Sequence, residues 1–184
     1  MVVRKREIAD CSMEEEGYVM SVAQELEGIA SGRLDRIVIG KVSMNTDLLG
    51  AILEIIKRER IRTGLLLSVV GALREATFRN IKTMPADLKV EKKNRVYLKL
   101  SQQMELVSLT GWIATKQDGE PEVHAHFSVS TVIEDKVVTL GGHLTPGAIT
   151  SIKVVVAIGV IEEIDIEAVT DSRIGQMDVK MPLG

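Results

Sequence analysis

The sequence is poor in the residues that cross-link proteins or anchor them in membranes. Its 184 residues include one cysteine, Cys11, so no internal disulfide can form. Aromatic residues make up only 3%, and the core must therefore be built from Val, Ile and Leu. The longest apolar stretch near the C-terminus, residues 154–161, is far shorter than the roughly 20 residues of a membrane helix, and no signal-peptide pattern opens the chain. We therefore expect a soluble, cytoplasmic protein without a membrane partner.

Neither sign of charge dominates the sequence. Its 23 basic and 26 acidic residues give a formal net charge of −3, whereas proteins that bind nucleic acid usually carry a basic excess or a basic stripe. One basic cluster is interleaved with glutamates, which is typical of a solvated helix face, and it comprises Lys57, Arg58, Arg60 and Arg62. DNA is possible as a partner, but the charge does not support it.

The length of the chain fits one domain, and no repeat or linker divides it. Residues 1–16 have mixed charges and no apolar period, so we assign them as an N-terminal tail and residues 17–184 as the domain. Strands are predicted over 17–23 and 36–42. A helix follows, because apolar residues recur at helical spacing from Leu48 to Ile56. We expect Asn45 or Thr46 to cap its start and Gly64 to close its end.

The rest of the sequence has the period of β-structure. The continuous apolar run at 64–73 predicts a strand covered on both faces. Alternating patterns separated by turn residues predict further strands over 87–90, 96–100, 104–114, 122–133, 137–140 and 152–164. The fold class is therefore α/β (α+β), a mainly antiparallel sheet packed on helices in a single domain.

The segment from Val123 to Ser130 carries the most distinctive chemistry. Polar residues alternate there with apolar ones, so on a strand His124 and His126 share one face, about 7 Å apart at their Cα atoms. This spacing lets both imidazoles reach one metal ion. The hairpin turn at 134–136 returns the chain alongside and brings Gly141, Gly142 and His143 near the same level. The alternative is a polar strand face that simply contacts solvent.

Convergence of all three histidines on one hairpin favours the metal site, with His124, His126 and His143 as ligands. Neutral imidazole binds several divalent metals, among which we expect zinc, and three ligands leave a coordination position open for water, an anion or a substrate. The paired glycines allow the close strand approach that His143 needs.

Two other residues are weaker candidates for a catalytic role. Glu105 lies in a strand that is otherwise apolar on its own face, so it is either an edge-strand or interface carboxylate or a base beside the metal. Arg74 follows the apolar strand and is expected at its rim, where binding residues often lie. No hydrolytic triad or phosphate-binding glycine loop is present in the sequence.

Four segments in order resemble the plants-and-prokaryotes-conserved (PPC) domain family. They are GALREATFR at 71–79, MELVSLTG at 104–111, HAHFSVS at 124–130 and GGHL at 141–144, with Gly147. The resemblance implies an antiparallel sheet packed on helices and a homotrimer in which sheet edges and the Glu105 strand make subunit contacts. It also implies the stand-alone prokaryotic type, in which three such histidines hold a divalent metal.

The same resemblance raises the question of DNA. The family is often described as DNA-binding because its plant members carry AT-hooks with an Arg-Gly-Arg-Pro core. This chain has no such segment, and it has Gln103 and Met104 where the plant branch favours Arg-Phe. The first hypothesis is therefore a trimeric metal-binding module with a binding or regulatory role. The alternatives are a DNA-binding regulatory protein and a metal-dependent enzyme that acts on a small substrate, with Glu105 or another carboxylate as base.

Overall fold

The computed structural model describes residues 27–164 and 166–181. The predicted tail, the strand predicted over 17–23 and Cys11 lie outside the described residues. The elements follow one another as β1 (Arg33–Ser43), α1 (Leu48–Glu59), β2 (Gly64–Ile81), β3 (Arg95–Leu100), β4 (Met104–Lys116), β5 (Pro121–Ile133), β6 (Lys136–His143), β7 (Ile149–Glu162), β8 (Glu167–Asp171) and β9 (Gln176–Lys180).

The nine strands form one sheet. Its order is β1-β7-β2-β6-β5-β4-β8-β9, with β3 paired to β2. Every pairing is antiparallel except that of β4 with β8, so the predicted, mainly antiparallel sheet is confirmed, with one parallel contact. The long strand β2 pairs with β4 over its first part and with β6 at Arg79. Strands β2, β4, β5 and β6 therefore form a closed circuit of pairings around the core.

The helix α1 packs on the inner face of this sheet. Its apolar side chains Leu48, Ile52 and Ile56 are each at most 1% exposed and join the core with the inward residues of β7. The expectation of several helices is wrong, because the described residues contain one α-helix and a single 3-10 turn at Lys92–Asn94. In most other segments apolar and polar residues alternate with a period of two, which is typical of β-strands rather than helices.

The ends of α1 differ from the predicted ones. Asp47, rather than Asn45 or Thr46, is the N-cap, and its Oδ1 accepts a hydrogen bond from the Gly50 amide at 2.8 Å. Arg60 closes the helix in a left-handed conformation with φ of 55°, and its N–H points to the carbonyls of Ile56 and Lys57. Gly64 already belongs to β2, so it does not end the helix.

The strand β2 is longer and more exposed than predicted. It runs to Ile81 instead of ending near residue 73, and its inward residues Leu66 and Leu73 are buried. The prediction that both faces are covered is wrong for the single chain, because Leu65 and Val70 are 46% and 65% exposed. No element among residues 27–164 and 166–181 packs over this outer face, although its composition is that of a covered strand.

Two local features also depart from the prediction. Residues 87–90 do not form a strand, because Pro85 precedes them and Leu88 has a positive φ of 59° within a turn. The short β8–β9 hairpin was not predicted, since its mixed polarity gives no clear alternation. No helix of the described part of the chain has the length and apolar character needed to cross a bilayer.

Candidate metal centre

The strand β5 presents its histidines on the side of the sheet away from the core. Ala125 and Phe127 are buried, at 1% and 3% exposure, whereas His126 is exposed and His124 is half-buried. Phe127 stacks on Phe78 of β2 with ring centroids 5.1 Å apart. The predicted alternation is therefore confirmed, and a buried aromatic pair fixes which face of β5 carries the imidazoles.

The hairpin from β5 to β6 brings the third histidine to the first two. Its turn residues Glu134 and Asp135 have positive φ values of 49° and 58°, as a tight hairpin requires. The register of β6 on β5 places His143 directly opposite His126. Paired residues of an antiparallel ladder point to the same face, so the three imidazoles meet.

The distances within this histidine cluster suit one metal ion. The Nε2 atoms of His124 and His126 are 3.3 Å apart, and one ligand atom from each histidine lies within 4.8 Å of the others. A tetrahedral ion with bonds of about 2.1 Å holds its ligand nitrogens about 3.4 Å apart, so only small ring rotations are needed. The ring of His143 stands nearly perpendicular to the other two, with interplanar angles of 84° and 82°.

The surroundings keep the imidazoles of His124 and His143 in the form that binds metals. Burial lowers the pKa of His143 to about 3, and the nearby charges of Arg79 and the other two histidines act in the same direction. Burial is also the main cause that lowers the pKa of His124, and the charges of His126 and Arg79 lower it further. Neutral imidazole is the metal ligand, so both side chains have their lone pairs available at neutral pH.

Gly142 provides the close strand approach that was expected of the glycine pair. A Cβ built on it would lie 3.0 Å from Asn80 Nδ2 and 3.1 Å from the backbone nitrogen and oxygen of Arg79. These contacts are tighter than nearly all real Cβ contacts. Gly142 is therefore needed for proximity rather than for a positive φ, and it lets β6 reach β2 beside His143.

A cleft of about 680 Å³ opens beside the histidine cluster. Its apolar wall includes Ile81, Val123 and Met177, and its charged residues are Arg79, Arg95, Glu122 and Asp178. Arg79 lies opposite His143 in the β2–β6 ladder and opposite Tyr97 in the β2–β3 ladder, so it shares the face of the histidines. The cleft has room for a small molecule next to the three histidines.

Sequence analysis missed the two arginines of this cleft. Arg79 follows the buried Phe78 within the 71–79 segment, and that alternation was the signal that it projects from the opposite face. Arg95 gives no comparable signal, because only the β2–β3 register brings it across from Ile81. Its Nη2 donates to Gln176 Oε1 at 2.6 Å, a contact between residues 81 positions apart.

The two weaker candidates lie away from the histidines. Glu105 is exposed opposite Ser130, four residues and about 13 Å along β5 from His126. Strand β4 pairs on both sides, so Glu105 is not on an edge strand. Arg74 lies within β2 rather than at its rim, and its Nη1 donates to Asn45 Oδ1 at 2.8 Å. Neither residue lines the cleft.

The fold and the cluster define a single-domain protein with one large sheet and a three-histidine site on its outer face. The sequence profile of the Plants and Prokaryotes Conserved (PCC) domain matches residues 29–162. The chain belongs to this family, as the four segments indicated.

Solved structures share the fold. A plant- and prokaryote-conserved protein from Pyrococcus horikoshii is 26% identical with a TM-score of 0.65, over 83% of this chain and 97% of that one. A metal-containing protein from Archaeoglobus fulgidus is 22% identical with a TM-score of 0.65, over 81% and 96%. A protein from Bacteroides thetaiotaomicron, provisionally named DNA-binding, is 20% identical with a TM-score of 0.64, over 84% and 99%. No curated protein matches the sequence.

Proposed function

We propose that this protein is a metal-binding module in which His124, His126 and His143 hold one divalent ion, with zinc as the occupant. The observation that carries the proposal is the convergence of three imidazole nitrogens within 4.8 Å at the mouth of a cleft. The Archaeoglobus fulgidus relative supports it, since its name states that it contains a metal. Three protein ligands are typical of zinc sites that keep an open position, so the ion would supply a Lewis acid facing the cleft.

The proposal is tested by the metal content of protein purified without a histidine tag. We expect about one zinc per chain, and we expect each substitution His124→Ala, His126→Ala and His143→Ala to abolish stoichiometric binding. The matched control is Ser128→Ala, which removes a polar side chain two residues from His126 on the same face of β5. Absence of metal in the purified protein, together with no binding on titration near neutral pH, would refute the proposal.

We further propose that the module is a homotrimer, as the family resemblance implies. In the outer rows of the sheet Ile37 and Leu65 flank Gly159, and Ile39 neighbours Ala157. Ile37 and Ile39 are 55% and 71% exposed, and a contiguous apolar surface of this kind marks an interaction site. Sedimentation equilibrium should give three times the mass of one chain, whereas Ile39→Lys should give smaller species. A monomeric wild-type protein would refute the trimer.

A DNA-binding role is the second candidate function, supported by the provisional name of the Bacteroides thetaiotaomicron relative. Contacts on α1 oppose it, because Lys57 Nζ pairs with Glu120 at 2.7 Å and Arg58 pairs with Glu54 at 2.6 Å. These pairs neutralise two of the four basic residues of the cluster, which weakens it as a surface for phosphates. Binding to duplex DNA that weakens steeply with salt would support this candidate, and absence of any complex at low salt would exclude it.

A metal-dependent enzyme is the third candidate, and the cleft beside the histidines favours it. Leu144 is 3% exposed and packs in the core, so it does not close the site. Asp178 lines the cleft and is a better placed carboxylate for proton transfer than Glu105. An activity that needs both His143 and Asp178 would support this candidate.

A further inference from the structure

The charges of the cleft point to a class of ligand. Arg79 is half-buried, and among residues 27–164 and 166–181 no carboxylate forms an ion pair with it. Arg79 and Arg95 line the same cleft and are both half-buried, so the two cations lie together in a partly dehydrated place. A partly buried guanidinium without a counter-ion is a favourable partner for an incoming anion.

Arg95, the second arginine of the cleft, also has no counter-ion among the described residues. The one side-chain partner of Arg95 among the described residues is the neutral amide oxygen of Gln176, so its positive charge is not compensated. Arg95 lies two pairs further along the β2–β3 ladder than the Arg79–Tyr97 pair, so it is on the same face of the sheet. Both guanidinium groups therefore belong to the cleft that the histidines border.

The remaining charges limit how negative the ligand is. Glu122 pairs with Lys116 at 2.8 Å, so it contributes little net charge. Asp178 lines the cleft and has no ion-pair partner among the described residues, and it would repel a multiply charged anion. Apolar side chains complete the wall, namely Ile81, Val90, Val123, Ile174 and Met177. The cleft thus combines a cationic end with an apolar body.

We propose that this cleft binds a small organic carboxylate, with its carboxylate group recognised by Arg79 and Arg95 and its apolar part against the wall around Met177. The proposal rests on the metal-binding function above, because a divalent ion on the histidines adds positive charge at the same end. Guanidinium groups bind planar carboxylates through paired hydrogen bonds, which selects this group over a neutral isostere. The volume of about 680 Å³ is that of a small-molecule site.

The test is calorimetric titration of the zinc-loaded, full-length protein with benzoate, benzamide and inorganic phosphate. We expect benzoate to bind at least about tenfold more tightly than benzamide, which has the same shape without the charge, and more tightly than phosphate. Arg79→Gln and, independently, Arg95→Gln should each weaken benzoate binding about tenfold or more with zinc content unchanged. Asp178→Asn should not weaken it. Lys99→Gln is the charge-matched control. Lys99 lies on β3, as Arg95 does, but it is outside the cleft and forms an ion pair with Glu75.

Three results would overturn the inference: no binding of benzoate to protein that contains zinc, equal affinities of wild type and both arginine variants, or tighter binding of phosphate. The same titration on metal-free protein separates the two proposals. Arginine-dependent benzoate binding by a chain that never takes up zinc would refute the metal site and support the carboxylate site. Zinc binding without benzoate binding would support the metal site and refute the carboxylate site.

Discussion

Replacing Gly111 by alanine should damage both the stability of the fold and the metal site. Gly111 lies on β4, opposite Ala125 of β5. A Cβ at this position would lie 2.8 Å from the Cα and Cβ atoms of Ala125, and closer still to the backbone carbonyl oxygen of His124. Ordinary van der Waals contact begins at 3.4 Å. The obstacles are backbone atoms that cannot rotate away, so the two strands must move apart by roughly half an ångström or more.

The expected cost follows from that displacement. Overpacking a well-packed site costs about 1–3 kcal/mol, and we expect the upper end here because β4 and β5 are hydrogen-bonded on both sides of Gly111. For a chain of this length, about 3 kcal/mol corresponds to a fall in Tm of roughly 6–12 °C. Since the strain acts on the backbone of His124, we also expect zinc affinity to fall at least about tenfold.

Urea unfolding and zinc titration of the variant measure these two effects. The control is Gly50→Ala, because Gly50 is exposed on α1 and an added Cβ would meet only the side chain of Asp47, with Oδ1 at 3.4 Å and Cβ at 3.8 Å. Alanine favours a helix, so this control should be as stable as the wild type or up to about 1 kcal/mol more stable. If Gly111→Ala unfolds within about 0.5 kcal/mol of the wild type and binds zinc equally well, the reasoning about close strand approach is wrong.

Three further predictions concern the core, the helix cap and the metal. Phe127→Ala should destabilise the protein by about 3–5 kcal/mol in urea unfolding, because it leaves a cavity against the buried Phe78; a loss below about 1 kcal/mol would contradict the importance of the pair. Asp47→Ala should cost about 1–2 kcal/mol, since Asp47 accepts hydrogen bonds from the Gly50 and Gly147 amides at 2.8 and 2.6 Å, whereas Asp47→Asn should retain part of that stability. The Tm of metal-free protein, prepared with a chelator, should be roughly 5–10 °C lower than the Tm measured with free zinc at about a hundred times its dissociation constant. In His143→Ala the scans with zinc and with chelator should give the same Tm.

The sequence was a good guide where structure depends on near neighbours. The period of two at His124–Ser130 correctly predicted which residues point inward, and the helical spacing from Leu48 to Ile56 identified the buried face of α1. The turn at 134–136 set the register of β5 and β6. These features are encoded within a few residues, so alternation and turn chemistry suffice to find them.

Features that depend on distant pairing were missed. Arg79 is opposite His143, 64 positions later in the chain, and Arg95 reaches the cleft only through the β2–β3 register. The exposure of Val70 was also missed, because an apolar run has the same composition whether a neighbouring element or a second subunit covers it. The position of Arg74 was missed because the apolar run ends at residue 73, although β2 itself continues to Ile81.

Register across five strands is what converts the histidine motif into a site. Tyr97, Arg79, His143, His126 and Thr110 form one row across β3, β2, β6, β5 and β4. Because successive side chains of a strand point to opposite faces, a slip of one residue between β6 and β5 would turn His143 toward the core and separate it from His126. A slip of one residue in β2 would replace Arg79 by Phe78 or Asn80 in that row. The stacked pair of Phe78 and Phe127 resists the slip in β2, since that slip would expose the Phe78 ring, which is now 2% exposed. The buried pair therefore orients Arg79 on β2 and the two histidines on β5 together, so the same packing determines the face on which the proposed metal site and the proposed ligand site lie.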